Sequence, residues 1–115
     1  QPPNPFRPDI AVDITSVFDQ KIHAMDAHES QFYEWLPWIG GYLNEVPKDK
    51  AQRKKWLASN RAGRITPAVR TSLEKWYGAG AADVKYAEAF EICEYGTQPS
   101  EQDLRRLFPM LGQKK

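Results

Sequence analysis

The sequence predicts a mixed α/β fold that is mostly helical and carries one or two short strands. Three observations predict it. Phe18, Ile22, Met25, Phe32 and Leu36 recur at helical spacing along one stripe. Thr66, Pro67 and Gly78 punctuate a second helix at both of its ends. Residues 10–14 form a short, mostly apolar run, which suits a strand buried in a mixed or parallel sheet.

Taken in order, residues 1–9 hold four prolines and read as an extended connector into the strand at 10–14. The stripe then predicts a long helix over 16–35, capped by Thr15 or Ser16 and stopped before Pro37. Glu29 falls near the middle of this stripe, so it is expected to find a cationic or hydrogen-bonding partner. His28 falls on the flank. Gly40, Gly41 and Asn44 mark a loop, with Trp35, Trp38 and Tyr42 around it. Those rings form either a stacking platform for a sugar or partner, or a seal of the loop onto the core. Their large burial energies favour the seal.

Residues 47–64 predict a second helix. It is strongly basic, with Lys48, Lys50, Arg53, Lys54, Lys55, Arg61 and Arg64 against Asp49. A solvated face held down by Trp56 and Leu57 is the expected arrangement. Residues 65–78 predict the clearest helix, with Val69, Leu73, Trp76 and Tyr77 on one face. Residues 84–95 are open between strand and helix on periodicity alone. A capping-box-like Ser100-Glu101-Gln102-Asp103 opens a last short helix, and 112–115 should fray. The whole of 10–111 is expected to fold as one part.

Composition excludes several classes. The 115 residues allow one modest domain, and a net charge of +1 argues neither for nucleic acid nor for a strongly acidic partner, so no nucleic-acid partner is expected. No apolar run is long enough to span a bilayer. The single Cys93 forms no internal disulfide and is expected to be a small buried residue. The phosphate-binding loop, the dinucleotide fingerprint and the G-x-S-x-G elbow are missing from the sequence. So is H-E-x-x-H. The two histidines, His23 and His28, are five apart and diverge by roughly 140° on a helix of 3.6 residues per turn. They cannot chelate one ion together, so no metal ligand is assigned in this chain.

Asp13-Ile14-Thr15, then Lys21, Ala24, His28, Ser30 and Gln31, and later the run Tyr86-Ala87-Glu88-Ala89-Phe90, follow one another in a telling order. The pattern resembles the C-terminal part of the PIG-L/LmbE-like zinc deacetylases, which remove acetyl groups from N-acetylglucosamine-type amines. The resemblance implies that this chain is a C-terminal subdomain of an α/β, Rossmann-like enzyme. It tilts 86–93 toward extended structure. In such a part His28 could act as an auxiliary catalytic group, though orienting its helix by bonding to backbone is the favoured role, and Tyr86 and Glu88 could bind substrate or equally form a buried structural pair with Lys21 or Arg70. The resemblance further implies zinc in the parent enzyme, a small N-acetylated sugar as substrate, and a missing N-terminal catalytic part as partner. The family's H-P-D-D zinc motif does not occur here. The chain alone is therefore expected to bind no zinc and to be inactive, and its start at Gln1 fits a piece of a longer polypeptide. The alternative is a non-catalytic carbohydrate- or protein-binding module that uses the Trp35, Trp38 and Tyr42 aromatics.

Overall fold

In the computed structural model, residues 5–60 and 63–112 are described. The connector residues before Pro5, Arg61 of the basic helix and most of the expected frayed tail lie outside them. The chain clusters into two compact units. Unit 1 takes the chain up to Thr15 and from Ile65 onward; unit 2 is Ser16–Arg64. Helix predominates, alongside one two-stranded antiparallel sheet.

Unit 1 is built on that sheet. Strand β1 (Ile10–Asp13) pairs antiparallel with β2 (Ala87–Phe90), Ile10 opposite Phe90 and Asp13 opposite Ala87. The partner of β1 is thus the stretch that periodicity alone left open between strand and helix. The apolar run of β1 has a simple cause. Both faces are covered, by two different clusters. Ala11 meets Val69, Leu73, Ala81 and Val84. Ile10 and Val12 on the opposite face meet Trp76, Leu104 and Leu111.

Helix α4 (Pro67–Tyr77) supplies residues to both clusters. It forms as its punctuation predicts. The Thr66 side chain accepts from the Val69 N–H, Pro67 needs no donor at the first turn, and Gly78 takes φ 61° at the end. The helix also seals the outer edge of β1. The Tyr77 hydroxyl accepts from the Asp13 N–H at 3.0 Å, and the Trp76 indole donates to the Asp9 carbonyl at 3.0 Å. Arg70 donates to the carbonyls of Ala81 and Val84, fixing the 3₁₀ turns at Gly78–Asp83 against the helix. A full capping box between Ser100 and Asp103 starts α5 (Glu101–Leu107).

Unit 2 corrects the expected long helix. A 3₁₀ turn (Thr15–Val17) leads into α1 (Phe18–Asp26) with no side-chain cap. The helix breaks at Ala27 and His28, resumes, and passes through a π turn (Gln31–Trp35) into α2 (Leu36–Gly40). The break re-phases the stripe. Phe18 and Ile22 are buried before it, but Tyr33 and Pro37 are buried after it, while Met25 and Phe32 are half-buried and Leu36 is exposed. Glu29 accordingly turns to solvent. Its side chain is 59% exposed, and the cationic partner expected for it is present at the surface, the Lys50 ammonium at 4.0 Å. Pro37 does not end the helix. It lies in the first turn of α2, directly after the π turn, which loosens the backbone where a proline would clash. The true stop is Gly41 at φ 77°, where Gly41 N–H bonds the Trp38 carbonyl and Tyr42 N–H bonds the Pro37 carbonyl. That pair of bonds is a Schellman motif.

The basic helix is α3 (Lys50–Asn60), shorter than the expected 47–64. It packs on α1. Leu57 is fully buried, while Lys50, Lys54 and Lys55 face solvent as expected. Arg53 is the exception among the described basic residues of this segment: it is half-buried, its guanidinium lies 4.8 Å from the centre of the Tyr33 ring, and it donates to the Pro47 carbonyl.

Tyr33 itself is 2% exposed and donates to the Asp26 carboxylate at 2.6 Å. Burial, then the hydrogen bond and the charge of Asp26, hold its phenol above the ordinary range, opposed by Arg53. The folded state therefore keeps this proton more tightly than the unfolded chain, whose phenol titrates near 10.0. Stability is expected to be unaffected by this group below that pH and to fall as pH rises above it. Tyr33→Phe should flatten the fall in urea midpoint across that alkaline window. An unchanged slope would assign the alkaline loss to other groups.

Candidate functional site

Two of the segments that carry the family resemblance, some seventy residues apart in sequence, meet in unit 1 as one hydrogen-bonded assembly. Thr15 is its hub. Its N–H is held by the Asp13 carboxylate at 2.9 Å, an Asx-type turn that ends β1. Its hydroxyl oxygen accepts from the backbone N–H groups of Lys85 at 3.1 Å and Tyr86 at 3.3 Å. The Ile14 N–H donates to the Tyr86 carbonyl at 3.0 Å. Asp13-Ile14-Thr15 thus docks the start of the Tyr86-to-Phe90 run onto β1. Thr15 is not a helix cap; its oxygen serves the sheet instead.

Tyr86 and Glu88 are both half-buried, two residues apart, so they project to the same side of the extended run. His28 belongs to unit 2, apart from them in the clustering of the chain, and its ring is exposed. Its backbone marks the break before the π turn: the His28 carbonyl accepts from Gln31 and Phe32, and its N–H bonds the Met25 carbonyl. Cys93, expected to be buried, has an exposed thiol. It follows β2 in an irregular stretch where no cluster covers it.

A second set of residues comes together in unit 2. Ser30 and Gln31, from the third segment of the resemblance, line a cavity of about 490 Å³ with Glu34, Trp35, Trp38 and Leu43. Trp35 is 52% exposed and Trp38 69% exposed. The aromatic seal expected from the sequence is therefore divided. Tyr42 does pack inward, its ring 6.2 Å from that of Trp56, whereas the two tryptophans open outward. Gln31, Glu34, Trp35 and Trp38 stand at i, i+3, i+4 and i+7, a helical face legible in the sequence had the helix been extended past Trp35. Chemically, the cavity offers two indole faces, a hydroxyl, an amide and a carboxylate.

The donor set does not fit a catalytic zinc. Both histidines are exposed, and among the described residues no three His, Cys, Asp or Glu side chains converge on one point. Among the described residues, no helix is long and apolar enough to cross a membrane. In comparison with known proteins, the chain matches no family model, no curated protein and no solved structure.

Proposed function

We propose that this chain is the C-terminal part of a PIG-L/LmbE-like zinc deacetylase acting on N-acetylglucosamine-type amides, its small antiparallel sheet belonging to a Rossmann-like parent. The observation that supports the reading is the Thr15 assembly. Two short motifs, picked out by resemblance alone, are joined by two hydrogen bonds, Thr15 with the Tyr86 N–H and Ile14 with the Tyr86 carbonyl, and a third ties Thr15 to the neighbouring Lys85. In this reading the zinc and its bound water belong to the missing catalytic part, which supplies the hydroxide nucleophile. This chain's residues bind and orient. Tyr86 and Glu88 of unit 1 would offer hydrogen bonds to a polar sugar, and His28 of unit 2 remains an auxiliary group. The test is the coding sequence upstream of Gln1. An in-frame H-P-D-D motif is expected, and an unrelated domain there would remove the reading.

A second reading is favoured by the outward Trp35 and Trp38: a non-catalytic module that holds a carbohydrate or a protein on these rings. Apolar sugar faces stack on indoles, and Ser30, Gln31 and Glu34 supply the polar contacts. Titration of tryptophan fluorescence with chito-oligosaccharides should then saturate in the wild type and fail in Trp38→Ala. Absence of any change would leave the deacetylase reading alone.

A further inference from the structure

We propose that unit 1 carries a binding site for a phosphate-type dianion, inorganic phosphate or a phosphate monoester, in the cavity between residues 7–9 and the face of α4 bearing Thr71, Ser72 and Lys75. The site stands apart from the deacetylase reading and uses none of its residues.

The cavity measures about 470 Å³ and is lined by Arg7, Asp9, Thr71, Ser72 and Lys75 among others. That is many times the ~30 Å³ share of one water molecule, so a phosphate with part of its hydration fits. The lining has free cationic donors. Arg7 uses its Nε on the Asp9 carboxylate at 3.1 Å, and its two terminal nitrogens bond nothing among the described residues. Lys75 holds its ammonium 4.9 Å from the centre of the Trp76 ring and makes no ion pair among the described residues. Asp9 directs its oxygens elsewhere: one takes Arg7, whose charge offsets its own, and the other takes the Ile92 N–H at 2.8 Å, which leaves Lys75 as the net positive charge of the lining.

The second observation is Ser72. It is 6% exposed, and its hydroxyl is sealed from solvent without a hydrogen-bond partner among the described residues. Buried hydroxyls almost always find a partner. The neighbouring Thr71 shows the ordinary solution, donating to the Pro67 carbonyl four residues back at 3.1 Å. Ser72 does not take that solution with Ala68. Ser72 lines the cavity, and rotation of χ1 to another staggered well is what would offer its hydroxyl to an oxyanion there.

The donor arrangement selects among anions. Arg7 brings a guanidinium edge, Lys75 an ammonium and Ser72 a hydroxyl to the lining from two separate segments. A tetrahedral oxyanion presents oxygens to all of them, whereas a carboxylate presents two in one plane.

The experiment is a ¹H–¹⁵N titration of the intact chain at constant ionic strength with inorganic phosphate, with glycerol 3-phosphate and with acetate. Saturating shifts are expected at the amides of Arg7, Thr71, Ser72 and Lys75 with both phosphate probes and not with acetate. Arg7→Ala and Lys75→Ala should each weaken binding by about tenfold, the loss of one charge-assisted hydrogen bond. Ser72→Ala should weaken binding while leaving the melting temperature without phosphate equal or higher, because alanine suits a helix and removes an unpaired hydroxyl. Tighter binding of glycerol phosphate would assign the site to monoesters, and tighter binding of phosphate to the free ion. Linear shifts that never saturate, equal shifts with acetate, or unchanged affinity in Lys75→Ala would overturn the proposal.

Discussion

Trp76→Ala is expected to lower the stability of unit 1 by about 3–5 kcal/mol, the range for removing a buried aromatic side chain. Trp76 is 3% exposed and sits in the cluster with Ile10, Val12, Leu104 and Leu111, so its loss opens a cavity beneath β1 and beside α5. The same substitution removes the indole donor to the Asp9 carbonyl and so uncaps the outer edge of the strand. Trp76→Phe separates the two effects. It keeps most of the packing and should cost little more than the ~1 kcal/mol of a lost hydrogen bond. Urea unfolding followed by circular dichroism measures both. A loss under about 1 kcal/mol in the alanine variant would mean that Trp76 is not a core residue.

Leu57→Ala carries the second large effect, about 2–5 kcal/mol on unit 2. Helix α3 is polar along most of its length, and Leu57, 0% exposed, is its deepest anchor. Trp56 assists, its ring 6.4 Å from that of Tyr33 and 6.2 Å from that of Tyr42. With Leu57 shortened, the basic face has too little apolar surface to hold the helix. The amides of 50–60 should then exchange with solvent much faster than in the wild type. Unchanged protection there would show that Arg53 and Trp56 suffice to hold α3 without the leucine.

What the sequence made legible was local. Helix α4 could be bounded to a residue or two because Thr66, Pro67 and Gly78 act on the backbone where they stand. The last helix was legible for the same reason, through Ser100 and Asp103. The main helix was misread because its break at Ala27 and His28 carries neither glycine nor proline. Counting one stripe across it put Phe32 inward and Glu29 on the buried face, when Tyr33 is the residue that goes in. Thr15 shows a different limit. A threonine before a helical stripe reads as a cap, and only the sheet partner reveals that its oxygen is needed seventy residues away. The outward tryptophans show a third. Burial energy says that indoles favour the interior, but it does not say whether a surface exists to cover them, and here Trp56 covers Tyr42 alone among the three.

The most direct test of the C-terminal deacetylase reading is zinc content and acetate release, measured side by side on this chain and on the protein from the complete reading frame. The substrate would be a panel of N-acetylglucosamine derivatives. The full-length protein is predicted to hold about one zinc and to release acetate, since metal-bound water is this chemistry's nucleophile. The chain alone is predicted to do neither, because its two exposed histidines and scattered carboxylates assemble no ligand set among the described residues. One zinc per chain of 115 residues, lost together with acetate release on mutating His28, would contradict the account and make this chain a complete enzyme.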